Sequence, residues 1–316
     1  MIAYFPAIYP DELVYSWFCR YYVYSGCLSH KMALQKLYCK RSDNPSKEFI
    51  GNLNLVAREQ IGRMYPLDEL VVNHTMYPQY ARFIPLEQKK TALFRLAHDF
   101  CDIHQLFTVL PRNEGEQYLW FCPLCVKEDR ETYGETYWHR KHQIRNMSIC
   151  TKHKCRVMES SVPVKSEKSY TFFPAENYVD DSKIAWENDI EKVEYAEYLE
   201  SVFDAPMDLK NDIPISSILY DGMSRTKYLK LSGRSRYTKR LGDDMNKFYM
   251  NMGICAVASM YQIQRTLLES GCDFSVVCQI AFFLGNEARR TDSPITDTRT
   301  DSSGTGQPLH ERCYAG

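Results

Sequence analysis

Several common features are missing from these 316 residues, and each absence removes a class of protein. No run of eighteen apolar residues occurs, so no transmembrane helix is expected. The opening "MIAYFPAIYPDELVYSW" has neither a basic n-region nor a small-residue cleavage site, so no secretory signal is expected and the expected compartment is the cytoplasm. Net charge is −1, which selects no partner by overall charge. A Gly-rich phosphate loop of Walker type is missing, so any ATP must be hydrolysed by a partner. The clustered carboxylates of a Mg²⁺ nuclease are missing too. Asp243–Asp244 is the one adjacent acidic pair in a basic neighbourhood, and it reads as a helix start. These absences argue against an enzyme. What remains is ordinary globular composition, 44 % hydrophobic and 25 % charged, in a chain long enough for two domains or one large core with an appendage.

Twelve cysteines are present, and in a cytoplasmic chain they read poorly as a disulfide framework. Most read as small buried apolar residues, Cys19 and Cys278 among them. One group differs. "YLWFCPLCVKEDR" is followed by "ETYGETYWHRKHQIRNMSICTKHKC", giving the spacing Cys-x2-Cys-x24-Cys-x2-His through Cys122, Cys125, Cys150 and His153. Two ligand pairs on tight knuckles, joined by a longer loop, describe a zinc ribbon. Four such donors close a tetrahedron and suit one structural Zn²⁺ per chain. Pro123 presets the first turn. Lys152 and Lys154 offset the negative charge of three thiolates. A thioredoxin-like redox pair would not require the matched Cys-x2-His downstream. Cys155, His142 and His139 lie close enough in sequence to be rival ligands, with His139 and His142 reading otherwise as surface or packing histidines. The metal here would replace a core that a small module cannot build.

The rest of the chain reads as mainly α. "PDELVYSWFCRYYVYSG" reads as a helix with Pro10 near its start and Gly26 past its end, and Ser29 reads as the N-cap of "HKMALQKLYCKR". Helix, Gly-containing turn and helix with a basic exposed side outline a helix-turn-helix, with Lys31, Lys36, Lys40 and Arg41 as candidate DNA contacts; two packed helices with solvated lysines is the plainer reading. Helices are expected near 47–63 and 86–104, and "NHTMYPQYARFIP" between them as a packed loop. A short β-prone piece in 162–180 ends the zinc module, and 183–202 reads as an acidic amphipathic helix. Charge is strongly segregated. Ten acids against two lysines lie between Glu176 and Asp204, whereas seven Lys or Arg and no acid lie between Gly222 and Gly242. Arg225, Lys227, Lys230, Arg234, Arg236, Lys239 and Arg240, interleaved with Tyr228 and Tyr237, suit phosphate contacts, the alternative being a solvated loop. "TLLESGCDFSVVCQIAFFLGN" reads as a core helix pair, and the polar stretch from 287 to 316 as disordered.

Together, "FPAIYPDELVYSWFCRY", "HTMYPQYARFIP" and "FCPLCVKEDRETYGETYWHRKHQIRNMSICTKH" resemble the TniQ/TnsD family of bacterial transposition proteins. The matching positions include Cys122, Pro123, Cys125, Gly134, Tyr137, Trp138, Arg140, His142, Gln143, Cys150 and His153. "PISSILYDGMSRTKYLKLSGRSRYTKRLGDDMNKFY" looks like the start of the TnsD-type C-terminal region. The resemblance implies an N-terminal helical TniQ-type domain with a helix-turn-helix over 1–110, a zinc-finger module over 111–180 and a helical TnsD-like DNA-binding region over 181–286. The remaining 287–316 form the tail. It implies a non-enzymatic, sequence-specific selector of the target site of a Tn-seven-like transposon. Such a protein binds double-stranded DNA in the bacterial nucleoid and recruits a AAA+ regulator of TnsC type and other transposase subunits. Arg140 and Lys141, displayed between the knuckles, join the candidate DNA contacts. An adaptor that links an RNA-guided CRISPR complex to the ATPase, or a zinc-ribbon transcription regulator, are the alternatives. TnsD-type proteins are usually longer, so the chain reads as a truncated member.

Overall fold

A computed structural model of the chain describes residues 4–39, 45–99, 103–107, 117–164, 170–212, 214–229, 234–254, 257–268 and 273–292, and no side chain at 103–104, 234–237 or 290–292. The described residues are mainly helical. The N-terminal part runs α1 (Val14–Tyr24), α2 (His30–Leu37), α3 (Leu55–Met64), α4 (Leu67–His74), α5 (Tyr77–Ala81), α6 (Leu86–His98) and α7 (Ile103–Leu106). The middle holds β1 (Tyr118–Phe121), α8 (Pro123–Tyr133), β2 (Ile149–Cys150), β3 (Cys155–Arg156) and β4 (Met158–Pro163). The chain continues through α9 (Ile190–Asp204), α10 (Ile215–Ser224), α11 (Arg234–Asn251), α12 (Met260–Leu267) and α13 (Phe274–Asp292).

Local chemistry explains many of the boundaries. Ser29 caps α2 by accepting from Met32 N–H, as its position predicts. Asn54 caps α3 through Ala57 N–H at 2.9 Å, while its amide donates to Lys36 O at 2.9 Å and locks the end of α2 to the start of α3. Gly26 takes φ +66°, a conformation that costs a residue with a Cβ.

Several sequence expectations are corrected. The helix expected at 47–63 starts only at Leu55, because Asn54 caps it there. The helix expected to run to 104 stops at His98. The loop expected over 73–85 is largely helical: Pro66 and Pro85 stand at the N-caps of α4 and α6, and Pro78 lies in the first turn of α5. A first-turn proline removes an N–H that would be unpaired anyway, so here the prolines open helices rather than break them. Helix α1 begins at Val14, not at Pro10, since Asp11 has φ +55° and Glu12 is drawn inside to Arg20. The acidic helix starts at Ile190, where Asp189 caps Glu191 and Lys192. The β-prone piece is the end of β4, a strand lying mostly earlier than expected. Helix α13 runs on to Asp292, so residues 287–292 are helix rather than tail; residues 293–316 lie outside the described residues.

Strand β1 pairs antiparallel with β4, with Trp120 opposite Glu159 and Phe121 opposite Met158. β2 and β3 form a short hairpin in which Cys150 faces Cys155. One contiguous apolar core runs from Leu13, at the N-cap of α1, through Trp138 in the middle to Leu284 on α13. A second, small cluster consists of Cys122, Cys125, Cys150, Cys155 and Val157. This small cluster has few apolar side chains of its own, which is the situation in which a metal ion substitutes for a core.

Candidate metal centre

Four stretches converge on the small cluster. Cys122 is the N-cap of α8, with Pro123 next and the Cys125 amide 3.5 Å from its sulfur. A helix N-terminus favours a thiolate there. α8 ends at Gly134 with φ +81°, whose N–H returns to Arg130 O at 3.0 Å. Cys150 ends β2, His153 lies in the hairpin turn, Cys155 opens β3, and a 3-10 turn over Lys141–Gln143 carries His142.

The distances test the donor set. His153 Nδ1 lies 3.5 Å from Cys122 Sγ, 3.3 Å from Cys125 Sγ and 3.7 Å from Cys150 Sγ, and Cys125 and Cys150 are 3.7 Å apart. Bond lengths of about 2.3 Å to sulfur and about 2.0 Å to nitrogen give sulfur–sulfur and sulfur–nitrogen tetrahedral edges of roughly 3.8 and roughly 3.5 Å. His142 competes: its ring nitrogen and the same three sulfurs lie within 4.8 Å of one another, with Nε2 3.7 Å from Cys125. The two histidines differ in what holds their other nitrogen. His153 Nε2 meets Glu128 Oε2 at 3.4 Å, the carboxylate support typical of a metal-bound imidazole. His142 Nδ1 is buried with no partner. His142 and His153 are thus rival fourth donors: the set of donor atoms within 4.8 Å of one another contains His142, whereas the carboxylate support lies behind His153.

The electrostatics also call for a cation. Hydrogen bonds from Cys125 and then Cys150 hold the Cys122 thiol far below its ordinary range, while Cys122 and Cys150 push Cys125 far above it. Thiols this crowded cannot all ionise against one another, and a divalent ion removes that repulsion. Burial, then Cys122, raises Cys155 to about 12. The residues present therefore could hold a metal ion, and with four protein donors such a site would be closed, as structural zinc sites are.

The segment between the knuckles is a structural bolt rather than a displayed reader. Trp138 is 0 % exposed and its indole N–H donates to Phe173 O at 2.8 Å. Arg140, expected to face DNA, is buried: it donates to Val72 O at 2.7 Å, meets Asp11 at 3.4 Å and Asp204 at 3.3 Å, and lies over the Phe203 ring. Lys141 spans Glu200 and Asp204, each at 2.6 Å. Arg140 is thus buried rather than displayed, and Lys141 is half-buried and ion-paired. The acidic stretch explains why: Lys154 pairs with Glu197, Thr151 with Glu200 and Arg156 with Glu187, so α9 and its approach cover the knuckle's polar side. His139 is a packing residue, bonded to Asp129 at 2.9 Å and stacked on Tyr137.

Elsewhere, Lys31 is exposed and Lys36 half-buried on α2, while Lys40 and Arg41 lie outside the described residues. Lys239 and Arg240 are exposed on α11, Arg240 lying 3.9 Å from Asp244. Arg225 pairs with Asp221 at 2.8 Å, and Lys227 with Glu287 at 3.1 Å and Asp244 at 3.5 Å. Lys230 and the side chains of Arg234 and Arg236 lie outside the described residues. Sequence reasoning missed Glu128. Its position one helical turn after Cys125 on α8 is the signal that could have found it.

Fold and centre together define a helical protein stapled around a Cys/His cluster that could hold a metal ion. Residues 3–157 match the family described as TniQ, and the chain belongs to the TniQ/TnsD family. It is similar to the transposon Tn7 transposition protein TnsD of Escherichia coli, 31 % identical over 153 residues, which is 47 % of this chain and 30 % of that protein. The match thus spans less than a third of that relative's length. No helix among the described residues is long and apolar enough to cross a membrane.

Proposed function

We propose that this chain is a target-site selector of a Tn7-like transposon, with no catalytic step of its own. It holds one structural Zn²⁺ on Cys122, Cys125, Cys150 and His153. It binds double-stranded DNA and brings a AAA+ ATPase regulator to the insertion site. The observation that carries the reading is that the family match over 3–157 encloses the whole Cys/His cluster, together with the Trp138–Arg140 bolt that joins it to the N-terminal helices through Ser16 and Val72. Among the candidate phosphate contacts, Lys31 and Lys239 are exposed and Lys36 is half-buried, with Arg225, Lys227 and Arg240 as acid-paired neighbours. Each phosphate that these cations neutralise releases condensed counterions, so affinity falls as salt rises.

A second reading is an adaptor that links an RNA-guided complex to the ATPase. The burial of Arg140 and the ion pairing of Lys141 support it. One zinc-quantified preparation separates the two readings. Site-selective duplex binding against random competitor, falling steeply with salt, together with capture of the ATPase, supports the selector. ATPase capture with only weak, unselective DNA binding supports the adaptor. Neither capture nor binding overturns both.

A further inference from the structure

The cysteine cluster contains one thiol more than the metal needs. Cys155 is 0 % exposed, and its sulfur lies 3.4 Å from that of Cys122. It also stands directly across the hairpin from Cys150. Directly opposed residues of an antiparallel pair project to the same face, with Cβ atoms about 4.5–5.5 Å apart. Cys155 therefore borders two members of the sulfur triangle. Neither Cys155 nor His153 belongs to the set of Cys122, Cys125, Cys150 and His142 whose donor atoms all lie within 4.8 Å of one another, so both stand at its edge as alternative fourth donors. His153 is placed differently. It sits in the hairpin turn with its side chain 19 % exposed, and the carboxylate that steadies it, on Glu128, is 44 % exposed. The imidazole has a way out toward solvent, and the spare thiol is packed behind the sulfurs.

We propose that Cys155 is a reserve ligand of this metal ion, able to take the place of His153. The proposal rests on the reading of the cluster as a structural metal site. The exchange is a ligand substitution with no redox change. The metal–nitrogen bond to His153 breaks, the Cys155 thiol gives its proton to solvent, and its thiolate forms the fourth metal–sulfur bond. Soft ions favour the resulting four-sulfur set over three sulfurs and one imidazole.

The test uses the full-length chain as Cys155→Ser, His153→Ala and the double variant, each checked for native helix content by circular dichroism. Bound zinc is counted, and cobalt is substituted to read the sulfur-to-metal charge-transfer band. Cys155→Ser is expected to keep one metal and an unchanged spectrum. His153→Ala is expected to keep the metal with a band stronger by about one third, three thiolates having become four. The double variant is expected to bind at least roughly tenfold more weakly than His153→Ala. The proposal fails if His153→Ala and the double variant behave alike, if the band does not strengthen, or if Cys155→Ser alone loses the metal. A wild-type chain that binds no metal would instead overturn the metal site itself.

Discussion

At the scale of single residues, the two histidines of the centre are told apart by what lies behind them. His153 is backed by Glu128, itself paired with Lys152 at 2.5 Å, whereas His142 has nothing on Nδ1. Glu128→Gln is expected to weaken metal affinity about 10–100-fold in chelator competition, and His142→Ala to leave the stoichiometry at one. Far from the metal, Arg20 shows what a buried charge demands. Its guanidinium pairs with Glu12 and Glu135, each at 2.8 Å, and lies 3.5 Å from the centre of the Tyr9 ring. Arg20→Met would strand the Glu12 carboxylate in the core and is expected to cost about 3–5 kcal/mol in denaturant unfolding. Burial pushes Glu12 up to about 7 from an ordinary 4.5, against the pull of Arg20. Between those values the folded protein holds a proton that the unfolded chain releases. Glu12 therefore makes stability fall as pH rises from 4.5 to about 7, and contributes no further slope above that. Glu12→Gln should remove this component, seen as a smaller difference between unfolding curves measured at pH 5 and pH 8.

At the scale of elements, α9 ties the knuckle down. Its buried face of Tyr195, Ala196, Leu199 and Phe203 enters the core while Glu197, Glu200 and Asp204 hold Lys154, Thr151, Lys141 and Arg140. The acidic composition of this stretch was legible in the sequence, but its partners were not, since they lie more than forty residues upstream. Asp189 caps the helix with two backbone N–H groups. Asp189→Ala is expected to lower stability by about 1 kcal/mol in thermal or denaturant melts. Boundaries were the least legible feature elsewhere. Pro66, Pro78 and Pro85 signal a loop when read as breakers and helix starts when read as first-turn residues, and the deciding factor is which apolar faces find the core.

At the scale of the whole molecule, the metal module is not an appendage. Trp138 belongs to the same core as Leu13 and Leu284, and Arg140 joins α9 to Asp11 near the N-terminus. Chelation is therefore expected to lower the melting temperature of the chain as well as unfold the knuckle, as differential scanning calorimetry with and without a strong zinc chelator would show. Charge reversal at Lys239 and Arg240 should weaken duplex binding and flatten its dependence on salt, because fewer counterions are then released.

The convergence of Cys122, Cys125 and Cys150 could be read directly because metal ligation imposes donor type and spacing over short stretches of chain, whereas the choice between His142 and His153 could not. Mainly helical character was legible for a similar reason, since apolar periodicity and caps are local. Folding alone set the fate of the charges. Arg140 and Arg240 look equally available along the chain, yet one is buried between Asp11 and Asp204 and the other is exposed. Whether an arginine meets water or an internal carboxylate depends on groups brought from distant elements, and no local pattern encodes that meeting. The same holds for Cys155, whose place beside Cys122 and Cys150 exists only once the hairpin and α8 have come together.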